Sequence, residues 1–126
     1  MPLRCLIVDD NASFRRAAAA LLERQGLTIA GLASNGVDAL ARARELRPDV
    51  VLLDIALGDE SGFDVARRMV AADPAGAKVI LISTHAESDF ADLIDATPAA
   101  GFVPKAELSA DAIQRLAARP NAPRGT

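Results

Sequence analysis

The side chains of this chain that could do chemistry together are few and widely separated: Asp9-Asp10, Asp54, Ser83-Thr84 and Lys105. Carboxylates, hydroxyls and one ammonium are what phosphoryl transfer uses, because catalysis there is mostly positioning and neutralisation of charge on the moving oxygens. Three carboxylates brought close cannot all stay ionised without a counter-charge, and a hard divalent cation supplies it. Mg²⁺ suits such a set, since it prefers oxygen ligands and leaves room for waters and a phosphate in its octahedron. In that arrangement Asp54 would be the nucleophile, giving an acyl phosphate. Lys105 would pair with a phosphoryl oxygen and Ser83 would donate a hydrogen bond to it, with Thr84 as the alternative hydroxyl.

These residues need a scaffold that brings them together, and the hydrophobic pattern supplies one. Four short apolar runs, Leu6-Ile7-Val8, Val50-Val51-Leu52-Leu53, Val79-Ile80-Leu81-Ile82 and Phe102-Val103, lack polar alternation and read as strands covered on both faces. Residues 27–33 mix Thr28 and Gly31 among apolar residues, as a less buried edge strand would.

Between the runs the period becomes helical. Stripes form at Phe14, Ala17, Ala18, Leu21 and Leu22; at Val37, Leu40, Ala41 and Ala43; at Val65, Ala66, Met69 and Val70; at Phe90, Leu93 and Ile94; and at Ala112, Ile113 and Leu116. Asn11, Asn35, Ser61 and Ser109 are placed to cap helix starts, and Gly26 lies where a helix would stop.

Five alternations of strand and helix predict an α/β domain with an open parallel sheet and helices on both faces. Ligands of such sheets sit beyond the carboxyl ends of the strands. Asp9-Asp10, Asp54, Ser83-Thr84 and Lys105 each fall at such an end. If the first and third strands are neighbours, about 4.8 Å apart, the three acids converge.

Composition narrows the class. Fourteen Lys plus Arg against seventeen Asp plus Glu leave a net charge of −3, so the domain carries no electrostatic footprint for nucleic acid, and no recognition helix is evident. The single cysteine, Cys5, sits in an apolar run and suits a reducing compartment. No apolar stretch approaches the ~20 residues a membrane span needs, and no signal peptide is recognisable, so a cytoplasmic location is expected. The domain is expected over residues 1–119, with 120–126 as a flexible tail.

In the order Asp9-Asp10, Asp54, Ser83, Lys105, with Gly62 after the central acid and Phe102 three residues before the lysine, the chain resembles the receiver domain of bacterial two-component response regulators. The resemblance implies a flavodoxin-like (βα)5 sheet in the order 2-1-3-4-5. It implies Mg²⁺ at Asp9, Asp54 and the backbone carbonyl of Ala56, with Asp10 reaching the ion mostly through water. It implies phosphorylation of Asp54 by a sensor histidine kinase or phosphotransfer protein, and no enzymatic activity beyond this self-modification. It also implies a switch in which the Ser83 hydroxyl moves toward the phosphate and Phe102 turns inward. That switch reshapes the face of the fourth helix, fifth strand and fifth helix for a downstream protein target, and a homodimer is compatible with it.

Some positions depart from the family pattern. Gly58 stands where proline is frequent, predicting a mobile loop from Ile55 to Ser61 that orders on metal binding. Ala106 follows the lysine in place of a proline joined through a cis bond, and a cis bond to a non-proline residue costs ~2.5–4 kcal/mol. Thr84 replaces a small residue, and Ala56 offers no side chain to orient a hydrolytic water; together they predict a long-lived phosphoryl group. Lone His85 reads as solvated, as do the charges of Asp59 and Glu60. Glu87 and Asp89 read as helix-start charges near the rim of the site.

Other readings are weighed by the same residues. A haloacid-dehalogenase-type hydrolase would need a second acid two residues after Asp54, where Ala56 stands. A degenerate receiver that binds partners without phosphorylation fits poorly with five retained positions. Receiver half of a helix-turn-helix transcriptional regulator is the alternative to a stand-alone regulator, suggested by residues 101–108.

Overall fold

The computed structural model describes residues 2–123. Five strands, β1 Arg4–Val8, β2 Thr28–Ala33, β3 Val50–Asp54, β4 Lys78–Ser83 and β5 Gly101–Pro104, form one sheet in the order β2-β1-β3-β4-β5. Every neighbouring pair is parallel. The helices are α1 Ala12–Arg24, α2 Gly36–Leu46, α3 Gly62–Ala72, α4 Ala91–Ala96 and α5 Ala110–Ala117. The expected α/β class, flavodoxin-like architecture and strand order are all present.

The unbroken apolar runs follow from the two-sided cover. Alternate residues of the central strands point to opposite faces. Leu6, Val8, Val51, Leu53, Val79 and Leu81 enter the core under α2, α3 and α4. Cys5, Ile7, Val50, Leu52, Ile80 and Ile82 enter the one under α1 and α5. Each fully buried Leu or Ile contributes about 1.5–3 kcal/mol of transfer free energy, so aliphatic side chains carry most of the core, with Phe63 and Phe102 as its buried aromatic members. β2 lies at the edge and stays half-buried over most of its length, as its mixed composition predicts.

Helix starts follow the capping rules at three of four positions. Asn11 Oδ1 accepts from Phe14 N at 3.0 Å, Asn35 Oδ1 from Asp38 N at 2.8 Å and Ser109 Oγ from Ala112 N at 3.1 Å. Ser61 occupies the cap position of α3 but makes no capping bond. Gly26, at φ +98°, turns the chain after α1 in a conformation that favours glycine.

Two stripes differ from expectation. Val37 is 76% exposed, and α2 buries Gly36 and Ala39 instead, because its cap rotates Val37 away from the sheet. Leu93 is 50% exposed, since the fourth helix opens as a 3-10 turn, Glu87–Phe90, before the short α4. A 3-10 turn advances faster around the axis and breaks the 3.6-residue stripe.

The expected tail is docked at its start. Asn121 Oδ1 accepts from Val79 N at 2.9 Å, its Nδ2 donates to Ala77 O at 2.7 Å, and Ala122 bridges to Ala99. Residues 124–126 of that expected tail lie outside the described residues. Among the described residues no helix is long and apolar enough to cross a membrane, and no peptide bond is cis, so Lys105–Ala106 is trans.

Candidate functional site

Parallel register carries the reactive groups to one end of the sheet. Val8 pairs with Leu53, so Asp9 and Asp54 leave neighbouring strands side by side. Asp54 pairs with Ile82 and Ser83 with Pro104, which puts Ser83 and Lys105 on the other flank. Asp9, Asp10, Asp54, Ser83, Thr84 and Lys105 line one cleft of about 400 Å³, with Ala56 at its wall. Phe102, expected to act as a switch, stands apart from this cleft and lines a neighbouring one.

Burial grades the three acids. Asp9 is fully enclosed, Asp54 is 6% exposed and Asp10 lies at the exposed mouth. One carboxylate oxygen from each lies within 4.8 Å of the others. Lys105 Nζ sits between the buried pair, 2.5 Å from Asp9 Oδ2 and 2.9 Å from Asp54 Oδ2. The approach to Asp9 is an ion pair without hydrogen-bond alignment, which leaves Asp9 Oδ2 with no aligned donor.

The electrostatics follow. Burial pushes the Asp54 carboxyl above its ordinary range, the Asp9 charge adds to the rise, and the Ala56 N–H and the Lys105 ammonium oppose it. Burial alone would lower the Lys105 ammonium, but the ion pairs with Asp9 and Asp54 together outweigh it and raise the group. Two buried carboxylates against one ammonium leave the pocket short of positive charge.

Local bonds hold the loops that present these groups. Ala56 N donates to Asp54 Oδ1 at 3.0 Å and Asn11 N to Asp9 Oδ1 at 2.9 Å. Arg15 Nη1 donates to Asp9 O at 2.5 Å. The segment expected to be mobile is a hairpin, Ala56–Leu57 against Glu60–Ser61, with Gly58 turning at φ +62° and Leu57 buried. Glu60 is not a merely solvated charge: its Oε1 accepts from Gly36 N at 2.8 Å, at the positive end of α2, and Arg68 lies 3.6 Å from its Oε2. Nothing in the linear pattern marks that pairing, since Glu60 and Gly36 are 24 residues apart.

Ser83 is buried, and its Oγ accepts from His85 N at 3.0 Å, leaving the hydroxyl proton available to donate. Thr84 is exposed at the cleft, with Oγ1 3.4 Å from His85 Nδ1. His85 meets Phe90 edge-on at 5.7 Å. Glu87 borders a neighbouring groove of about 630 Å³ between the 3-10 turn and α5, shared with Phe102, Glu107, Arg115 and Arg119. Phe102 is 6% exposed, so its ring is already turned inward here. Phe14, read in the sequence only as part of an apolar stripe, brings its ring within 4.2 Å of Lys105 Nζ.

The donor set fits a hard cation. It is composed of carboxylate oxygens, it contains a buried oxygen lacking an aligned donor, and its third acid opens to water. Gly58 borders the same mouth, where its φ of +62° is a backbone conformation that favours glycine.

Comparison with known proteins agrees with this geometry. The model of the response regulator receiver domain matches residues 5–117. A putative transcriptional regulator from Pseudomonas aeruginosa is 38% identical over 82% of this chain and 50% of its own length. The chemotaxis protein CheY of Thermotoga maritima is 37% identical over 66% of this chain and 68% of its own.

Among solved structures, the receiver domain of the putative response regulator NarL from Mycobacterium tuberculosis superimposes with a TM-score of 0.81 at 30% identity, covering 93% of this chain and 97% of that one. A LuxR-family two-component response regulator from Aurantimonas gives 0.84 at 30%, covering 95% and 89%. The chain therefore belongs to the response regulator receiver domain family of two-component signalling. It spans about half the length, or less, of several curated relatives, including 29% of a protein-glutamate methylesterase from Alkalilimnicola ehrlichii.

Proposed function

We propose that this domain accepts a phosphoryl group on Asp54 from a sensor histidine kinase or phosphotransfer protein and thereby changes the partner it binds. The observation that carries the reading is the Lys105 ammonium held between Asp9 and Asp54 beside a third acid at the mouth of one cleft. An Asp54 carboxylate oxygen forms the bond to phosphorus while the donor's P–N bond, or the P–O bond of a small acyl phosphate, breaks. The leaving group carries off the bonding pair. Lys105 pairs with a phosphoryl oxygen, and the Ser83 hydroxyl donates to another.

Asp9, Asp54, the Ala56 carbonyl and, through water, Asp10 would hold Mg²⁺. When bound, it neutralises charge on the phosphoryl oxygens. The chain's own residues keep the rest in order: Ala56 N orients Asp54, Asn11 N orients Asp9, and the Glu60 bond fixes the hairpin against α2.

Readout runs through Ser83 and Phe102 to the groove between the 3-10 turn and α5, the face we assign to a downstream protein. Because Phe102 is already inward, the ring can travel little, and the Ser83 hydroxyl carries more of the change. A full swing from one state to the other takes about 5.5 kcal/mol of differential stabilisation, so partial switching is the expected behaviour. The domain acts in the cytoplasm, signals without an enzymatic reaction of its own on other molecules, and holds its phosphoryl group long because Thr84 crowds the cleft and Ala56 offers no water-orienting side chain.

The test is intact-mass analysis after incubation with a small acyl phosphate, with and without Mg²⁺. One phosphoryl group should appear on the wild type only with the metal, and none on Asp54→Asn. Equal modification of that variant would move the acceptor elsewhere.

A further inference from the structure

Phosphoryl transfer calls for an ammonium in the cleft, and the site supplies it with a third neighbour that is neither acid nor phosphate. Lys105 Nζ lies over the ring of Phe14, 4.2 Å from its centroid, well within the ~6 Å at which the negative face of an aromatic ring attracts a cation. Phe14 is in the first turn of α1, and its own N–H is held by Asn11 Oδ1 at 3.0 Å. The ring also packs against the core under α1 and α5. The same short segment thus carries Asp9, Asp10 and the ring, which is partly buried against that core.

We propose that Phe14 is a positioning residue for Lys105, holding the ammonium in the cleft while the carboxylates are occupied. The inference rests on the phosphoacceptor reading above. In the metal-free site Lys105 is held by Asp9 and Asp54. A dication on those acids weakens their pull on the ammonium and repels it directly, and a lysine has a flexible four-carbon stem that water readily recaptures. The π face of Phe14 is uncharged and takes no part in binding the dication, so its attraction persists when that of the acids falls. Lys105 then stays where an incoming phosphoryl oxygen can meet it.

A ring that only fills space on α1 could be replaced by another apolar residue of similar size, which separates the two roles. Phe14→Leu keeps an apolar side chain and loses the π face, whereas Phe14→Tyr keeps both. The readouts are the carbon and proton shifts of the Lys105 ε-methylene in lysine-labelled protein, with and without Mg²⁺, and the rate of phosphorylation by a small acyl phosphate. Lys78 is the only other lysine and serves as internal reference.

The expected result is an upfield ring-current shift of Lys105 that survives Mg²⁺ in wild type and Phe14→Tyr and vanishes in Phe14→Leu. Phosphorylation of Phe14→Leu should be about three- to tenfold slower, while Phe14→Tyr stays within about twofold of wild type. A Lys105 shift indistinguishable from that of Lys78, or a wild-type rate in a folded Phe14→Leu, would overturn the proposal. A wild type that takes no phosphoryl group while its Lys105 shift survives Mg²⁺ would instead sink the phosphoacceptor reading and leave the ring contact standing.

Discussion

Gly62 passes so close to Asp54 that a Cβ at Gly62 would stand 2.0 Å from the Asp54 carbonyl oxygen. The approach is drawn tight by Gly62 N donating to Ile55 O at 2.7 Å, which closes the loop that presents Asp54 and starts α3. Gly62→Ala would gain up to ~1 kcal/mol of helix propensity if the space were open. The clash is with backbone, which cannot swing aside, and overpacking of this kind costs more. The variant should lose roughly 3 kcal/mol in denaturant unfolding, and Mg²⁺ should protect it less than wild type because the acid is displaced.

Asp54 is a charge that the free fold tolerates poorly. Its carboxyl is raised chiefly by burial, so the folded chain binds that proton more tightly than the unfolded chain does. The sign is then fixed: ionised Asp54 opposes folding at neutral pH, and its destabilising effect recedes as pH falls through the raised value. Asp54→Asn should therefore raise the thermal midpoint of metal-free protein at pH 7. Added Mg²⁺ should stabilise wild type by about 2.7 kcal/mol at a hundredfold excess over its dissociation constant, and Asp54→Asn by much less. A metal-free midpoint that falls on substitution would mean the ion pair with Lys105 outweighs the burial.

Cys5 gives a pH signature at the opposite face of the chemistry. Burial, with a smaller contribution from the Asp49 charge, pushes its thiol from 9.0 to about 11. The unfolded thiol ionises first, so the contribution to stability is complete below pH 9 and disappears as pH rises to about 11. At 1.36 kcal/mol per unit the loss is at most about 3 kcal/mol. Tyrosine is absent, so no phenol ionises in this window, and comparison with Cys5→Ala isolates the thiol. The stability difference between those two proteins should shrink across this window, and a difference that does not change with pH would place the thiol in contact with water.

The parts of the fold that were legible in the sequence are those governed by short-range rules. Runs such as Val79-Ile80-Leu81-Ile82 could only be strands covered on both faces, and Asn11, Asn35 and Ser109 announced helix starts that do cap. The acids and the lysine were legible as a group because strand ends in such sheets point to one edge.

What escaped depends on contacts between distant segments. The Glu60 carboxylate on Gly36 N–H spans 24 residues, and the Asn121 clasp on Val79 and Ala77 spans more than forty. Neither leaves a periodic trace, so a structural acid read as a solvated one and a docked segment read as a tail. Phe14 escaped for another reason: its place in an apolar stripe was correct and hid its second neighbour, the Lys105 ammonium.

A phosphoacceptor role for Asp54 requires an acyl phosphate at that residue, and borohydride trapping tests that bond directly. Reduction of an aspartyl phosphate converts the residue to homoserine, and peptide sequencing by mass spectrometry reads the position. After incubation with a small acyl phosphate and Mg²⁺, homoserine should appear at position 54 alone and should be absent when Lys105→Ala is treated alike for the same brief time. Homoserine at Asp9 or Asp10, or a phosphoryl group on Ser83 or Thr84 that survives borohydride, would contradict it.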